Sequence, residues 1–140
     1  MSNDLSDCLI LNTMVTARTL LRHYDTKLHA FGITAAQFAL LCAIRSYPKE
    51  PVATLANRVS LDRTSLVRNL NVLERKRLVQ RAPGAIGNVR FCELTKQADA
   101  LLDELLPQWQ GYMTDLMRVI TPHDAETYLA VSRHLTSRHS

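Results

Sequence analysis

Apolar positions near the start of the chain recur at three- and four-residue multiples. Leu11, Met14, Leu21, Tyr24 and Leu28 fall on one stripe, which predicts a long amphipathic helix from about Leu5 to Ala30. Gly32 can end it by taking a left-handed conformation. Thr34 and Gln37 have the spacing of a capping box, and Ile33 can staple onto Phe38 across the same helix start. The run Phe38 to Ile44 is almost wholly apolar, as a helix buried on most sides would be. Pro48 and Pro51 break the pattern. Two shorter amphipathic helices follow, Ala53 to Val59 and Arg63 to Arg77, joined by Ser60-Leu61-Asp62. The first starts weakly, because Pro51 stands where a capping side chain would help. The second starts strongly, because Asp62 can accept the free N–H of Thr64 or Ser65. Its core face is Leu66, Leu70 and Leu73, with Val67 beside them.

Two extended runs come next, Val79 to Ala82 and Val89 to Leu94, around the turn-forming stretch Pro83-Gly84-Ala85-Ile86-Gly87-Asn88. Thr95 can cap a further long helix reaching about Ile120, which Pro107 should kink. Thr121 as cap and Pro122 at the first helical position open a last helix. The fold class is therefore mainly α with a small β-hairpin wing. Helix, tight link, helix and hairpin is the order of a winged helix-turn-helix. The chain, residues 1–140, is expected to form a single domain. Its DNA-binding lobe would span residues 33–95, with dimerisation helices in 1–32 and 96–140. The outer helices carry apolar stripes outside the compact unit. Apolar surface is worth about 25 cal/mol per Å² removed from water. Pairing with the same helices of a second copy covers those stripes in a two-fold homodimer. Two reading helices would then lie roughly 34 Å apart, one turn of duplex.

Composition narrows the function classes. With 46% hydrophobic residues among 140, the chain can build a core. No apolar run approaches the roughly 18 residues of a membrane span, and the N-terminus lacks the pattern of a signal peptide. Cys8, Cys42 and Cys92 are an odd set without metal-ligand spacing, which suits a reduced cytoplasmic setting. His23, His29, His123, His134 and His139 show no metal spacing either. No phosphate loop or nucleophile elbow occurs. No metal, cofactor or catalytic residue is expected, and the protein is not expected to be an enzyme.

Charge adds direction. Residues 58–90 hold eight basic side chains and two acidic ones, a net of +6, while the rest of the chain has nine basic and eleven acidic. A basic segment on an otherwise slightly acidic protein suits a polyanion. A helix in the major groove needs short and forked side chains near its leading end. Arg63, Thr64, Ser65, Arg68 and Asn69 supply them: Arg68 can fork onto guanine and Asn69 can pair with adenine. Thr64 and Ser65 suit bases and phosphates equally; the competing reading makes them only first-turn helix formers. Arg58, Arg75, Lys76 and Arg81 are expected phosphate partners or surface charges. At the hairpin, Asn88 and Arg90 are the candidates for the minor groove.

The ordered set of motifs resembles the MarR family of transcriptional regulators. The matching pieces are Tyr24-Asp25, Gly32-Ile33-Thr34 with Gln37-Phe38, and Leu55-Ala56. They continue with Leu61-Asp62-Arg63-Thr64-Ser65-Leu66, Leu73-Glu74-Arg75-Lys76, Leu94-Thr95, and the pair Pro107 and Trp109. The resemblance implies a homodimer on a palindromic double-stranded DNA operator, often a repressor released by a small aromatic or phenolic effector. Two positions depart from the family pattern. Many members carry Gly where Arg77 stands, at a left-handed helix end, and Arg there costs on the order of 1–2 kcal/mol if that conformation is kept. The wing tip is short and glycine-bearing, without the family's Asp-x-Arg, which leaves Arg90 as the substitute.

In similar proteins the effector lodges between the dimer helices and the DNA-binding lobe. That implies Arg18, Arg22, His23, Trp109, Tyr112 and Met113 here: an arginine to clamp a carboxylate and an aromatic ring to stack. The competing reading makes Trp109 and Met113 plain core, and Arg18 and Arg22 salt-bridge partners at the dimer interface. Some family members sense oxidants through a cysteine near the start of the first helix, so Cys8 opens a thiol-switch alternative. A further rival is a protein-interaction module that keeps the fold without engaging DNA.

Overall fold

The computed structural model describes residues 4–82 and 91–139. The helices are α1 (Leu9–Leu28), α2 (Ala35–Ser46), α3 (Val52–Arg58), α4 (Arg63–Arg75), α5 (Lys96–Leu116) and α6 (Pro122–His139). Strands β1 (Val79–Arg81) and β2 (Cys92–Leu94) separate α4 from α5. They pair antiparallel, Val79 opposite Leu94 and Arg81 opposite Cys92. Short 3-10 turns flank α1 and follow α5. This is a winged helix-turn-helix with long helices at both ends. The expected strand start at Val89 and the wing residues Asn88 and Arg90 lie outside the described residues.

Local chemistry explains the boundaries. Thr34 and Gln37 make both halves of the capping box, at 3.2 and 3.1 Å. Ile33 and Phe38 are both buried beside it. Gly32 takes φ 73° and ends the turn after α1. The predicted first helix is interrupted near its start. Asp4 caps a 3-10 turn at Leu5–Asp7, Cys8 is extended, and Asn12 donates to the carbonyls of Ser6 and Cys8 at 2.7 and 2.8 Å. At the other end α5 stops at Leu116 rather than Ile120, because Ile120 must be extended to enter the next cap. There Thr121 accepts the Asp124 N–H at 3.1 Å and precedes Pro122, which disfavours helical backbone at Thr121 itself. Pro107 sits inside α5 without dividing it.

Helices α3 and α4 end alike. After α3, Leu61 N–H bonds Ala56 C=O at 3.0 Å and Ser60 N–H bonds Asn57 C=O at 3.3 Å. After α4, Leu78 N–H bonds Leu73 C=O at 2.9 Å and Arg77 N–H bonds Glu74 C=O at 3.0 Å. Both are Schellman motifs, which need a left-handed residue. Ser60 at φ 51° and Arg77 at φ 60° supply it, although neither is glycine. This fold-back ends α4 two residues before the Arg77 expected from sequence.

The core is built by α2, α3, α4, the strands, the end of α1 and the first half of α5. Leu28, Leu40, Leu41, Ile44, Leu55, Leu66, Leu73, Leu102 and Leu105 are its largest fully buried side chains. It is continuous across positions 33 and 95, since Leu28 and Ala98 belong to it. The α1 stripe therefore divides: Tyr24 and Leu28 are buried, while Leu11, Met14 and Leu21 are exposed. Leu9 (79% exposed), Ile10, Val119, Tyr128, Leu129, Val131 and Leu135 are exposed as well.

Candidate nucleic-acid interface

Asp62 sets the start of α4. Its carboxylate accepts the Ser65 backbone N–H at 2.8 Å and the Ser65 hydroxyl at 3.0 Å. Those bonds hold the Asp62 carboxyl below the usual carboxylate range. Ser65 is thereby committed to the helix start, and Thr64 is left exposed. At about 100° per residue, Arg63, Thr64, Val67, Arg68, Asn71 and Arg75 share one side of α4, and all six are exposed. The opposite side buries Leu66 and Leu73. Arg63, Arg68 and Arg75 form no ion pair with the described residues. The outer face of α4 thus offers three open arginines, two short polar side chains and one exposed apolar side chain.

Two members of that face, Val67 and Asn71, differ from the sequence expectation. The apolar pattern puts Val67 beside the core, yet it is 42% exposed. Counting 100° per residue from Leu66 and Leu73 moves it outward and brings in Asn71.

Other expected contacts are engaged within the protein. The Asn69 amide donates to the Ser65 carbonyl at 2.9 Å and accepts from the buried Gln37 amide at 3.3 Å. It joins α4 to α2 instead of standing on the outer face. Lys76 turns back to donate to the Gly32 carbonyl. Arg58 forks onto Glu50, with Nε to Oε2 at 2.6 Å and Nη2 to Oε1 at 2.5 Å. Its guanidinium also lies 3.5 Å from the centre of the Tyr47 ring. Arg81 pairs loosely with Glu74 at 3.8 Å and stays largely exposed. Nothing in the spacing of Tyr47, Glu50 and Arg58 announces their clasp, since the loop between α2 and α3 brings them together.

The wing is tied to the end of α4 through Thr95. Its hydroxyl donates to the Arg77 carbonyl at 2.7 Å and accepts the Ala98 N–H at 3.2 Å. The left-handed turn at Arg77 and the start of α5 therefore share one side chain.

The expected effector residues divide into two groups. Arg18 and Arg22, with Leu21, Asp25, Thr26 and His29, line an open groove of about 620 Å³ along α1 and the turn after it. Trp109 and Tyr112 are elsewhere, in an aromatic stack. Trp109 lies 4.6 Å from Phe38 and 5.2 Å from Tyr24, and Tyr112 lies 6.1 Å from both Tyr24 and Trp109. His23 meets the edge of Tyr24 at 5.0 Å. Met113 is half-buried. Trp109 packs against the core. Cys8 is half-buried at the N-terminus of α1. Burial pushes the Cys42 thiol up, and the Cys92 thiol up to about 11, which makes both poor nucleophiles.

Among the described residues no group of three His, Cys, Asp or Glu side chains is arranged to hold a metal ion. No single helix there is long and apolar enough to cross a membrane.

No protein-family model matches the chain. Over 110 residues it is 21% identical to the HTH-type transcriptional regulator MhqR of Bacillus subtilis, covering 78% of this chain and 76% of that one. The fold matches the M. tuberculosis transcriptional regulator MosR, solved in complex with DNA, with a TM-score of 0.79. Identity there is 28%, over 96% of this chain and all of that one. It also matches a mutant MarR from E. coli complexed with operator DNA, with a TM-score of 0.81, 23% identity, and coverage of 96% and 99%. Element order, the open basic face of α4 and these likenesses agree: the chain has a winged helix-turn-helix fold similar to that of known DNA-binding transcriptional regulators, MosR and MarR among them.

Proposed function

We propose that the protein is a homodimeric repressor. Two copies hold their α4 helices one duplex turn apart on a palindromic operator, and a small aromatic effector releases them. The observation that carries this reading is the outer face of α4. Arg63 and Arg68 have open forks suited to guanine, Val67 offers methyl groups suited to thymine, and Thr64 and Asn71 supply short polar contacts. Arg75 on that face, and Arg77 and Arg81 beside it, serve as phosphate partners. MosR and MarR were each solved with DNA, which supports the same use here.

Dimerisation is supported by the exposed apolar residues of α1 and α6, which a second copy would cover. The effector reading is supported by Arg18 and Arg22 in the groove on α1. Two guanidinium groups there suit the carboxylate of an aromatic acid. Such a ligand releases DNA only by binding better to a dimer whose α4 spacing no longer fits the operator.

Duplex binding followed by fluorescence anisotropy tests the reading. Affinity falls by several powers of ten between about 50 and 200 mM salt if some six to ten phosphates are contacted. Arg68→Ala costs about 1–3 kcal/mol on a selected site and far less on mixed-sequence DNA. Equal losses on both would reduce Arg68 to a phosphate contact, and absence of duplex binding in dilute buffer would end the proposal.

A further inference from the structure

The clasp at the foot of α3 occupies a basic residue close to the candidate DNA-reading helix. Arg58 closes α3, one tight link before Asp62 and the start of α4. The first helix of a helix-turn-helix crosses the DNA backbone while the second enters the groove. An arginine on such a helix suits a backbone phosphate. Here its fork is already filled by the Glu50 carboxylate, through two bonds of 2.5 and 2.6 Å. The guanidinium plane rests on Tyr47 at 3.5 Å from the ring centre. Planar carboxylate and phosphate oxygens satisfy the same fork in the same bidentate manner.

We infer that Tyr47 and Arg58 form a phosphate subsite for the DNA backbone, and that Glu50 occupies it as a resident stand-in for the phosphate. This rests on the DNA-binding reading above and adds to it. Tyr47 keeps the guanidinium in place on its ring when the carboxylate leaves. Glu50 leaves the fork when a phosphate diester arrives, and its departure lowers the affinity of every duplex by a constant factor. The device tunes affinity without touching base choice, since phosphate contacts carry no sequence information.

A double-mutant cycle tests it, with the full-length protein and one selected duplex in anisotropy titrations at about 0.1 M salt. One phosphate contact is worth roughly tenfold in affinity under those conditions. Glu50→Gln is expected to tighten binding by roughly tenfold or more on selected and mixed-sequence duplexes alike. In an Arg58→Gln background the same change is expected to give no gain. Equal gains in both backgrounds would overturn the subsite, because removing any negative charge near DNA would then suffice. A loss of affinity in Glu50→Gln would also overturn it and make the clasp a brace for α3. Glu50→Ser repeats the cycle with a shorter side chain, and thermal melts of each variant confirm folding. If the unmodified protein binds no duplex, the DNA-binding reading itself fails. If it binds and the cycle shows no coupling, only the subsite fails.

Discussion

Arg77 holds a backbone conformation that most side chains avoid, at φ 60°. Its carbonyl receives the Thr95 hydroxyl and its N–H closes the end of α4. The turn is therefore fixed from both sides, and the strain stays. Left-handed backbone costs a residue with a Cβ roughly 1–2 kcal/mol relative to glycine. Arg77→Gly is expected to raise stability by about 1 kcal/mol, read from urea unfolding, since glycine's greater freedom when unfolded offsets part of the gain. The same change removes a positive charge close to the wing. The log–log salt dependence of DNA binding is expected to become shallower by about one unit for each phosphate left without its arginine. A variant that gains stability and keeps its full salt dependence would show that Arg77 has no electrostatic role. Thr34 offers the opposite case: its hydroxyl caps α2, and Thr34→Ala is expected to cost about 1 kcal/mol in the same unfolding assay.

At the scale of elements, α4 is well marked in the sequence and carries the candidate site. Asp62 announces its start, and Leu66, Leu70 and Leu73 give its inner face from apolar spacing alone. The pattern does not reveal which polar residues face outward. Asn69 resembles a base reader by type and position, yet Gln37 from α2 claims its amide, a partner 32 residues away in sequence. Arg58 and Lys76 look free for the same reason, and loop geometry brings Glu50 and the Gly32 carbonyl to them. Capping signals and apolar periodicity are local and therefore legible. Side-chain pairing across elements is set by the tertiary path and is not.

The cap of α4 also predicts a pH dependence. The bonds from Ser65 lower the Asp62 carboxyl below its ordinary value of 3.8. A carboxyl whose folded-state value is depressed stabilises the fold above the unfolded value. That contribution is lost as pH falls through the folded value. The stability difference between the unmodified protein and Asp62→Ala is therefore expected to be constant above about pH 5 and to shrink below about pH 4. Chemical unfolding at stepped pH measures it. A difference that grows on acidification would contradict the cap.

For the whole molecule, the exposed apolar residues of α1 and α6 and the turn before α6 matter most. They lie outside the core that Leu28, Leu41, Leu73 and Leu105 define. A partner that covers them makes stability depend on protein concentration. The melting temperature is expected to rise with concentration, and Val131→Glu on α6 is expected to abolish that rise and yield monomers in sedimentation equilibrium. An unmodified protein that sediments as a monomer at all concentrations would remove the basis for paired α4 helices.

Whether paired α4 helices read a two-fold operator is decided most sharply by selection from a random duplex library with the purified protein, which works without a known target sequence. Paired helices predict enrichment of a two-fold symmetric sequence whose half-sites are centred about 10–10.5 base pairs apart, lost on Arg68→Ala. Recovery of no preferred sequence, or of a single asymmetric half-site, would contradict them.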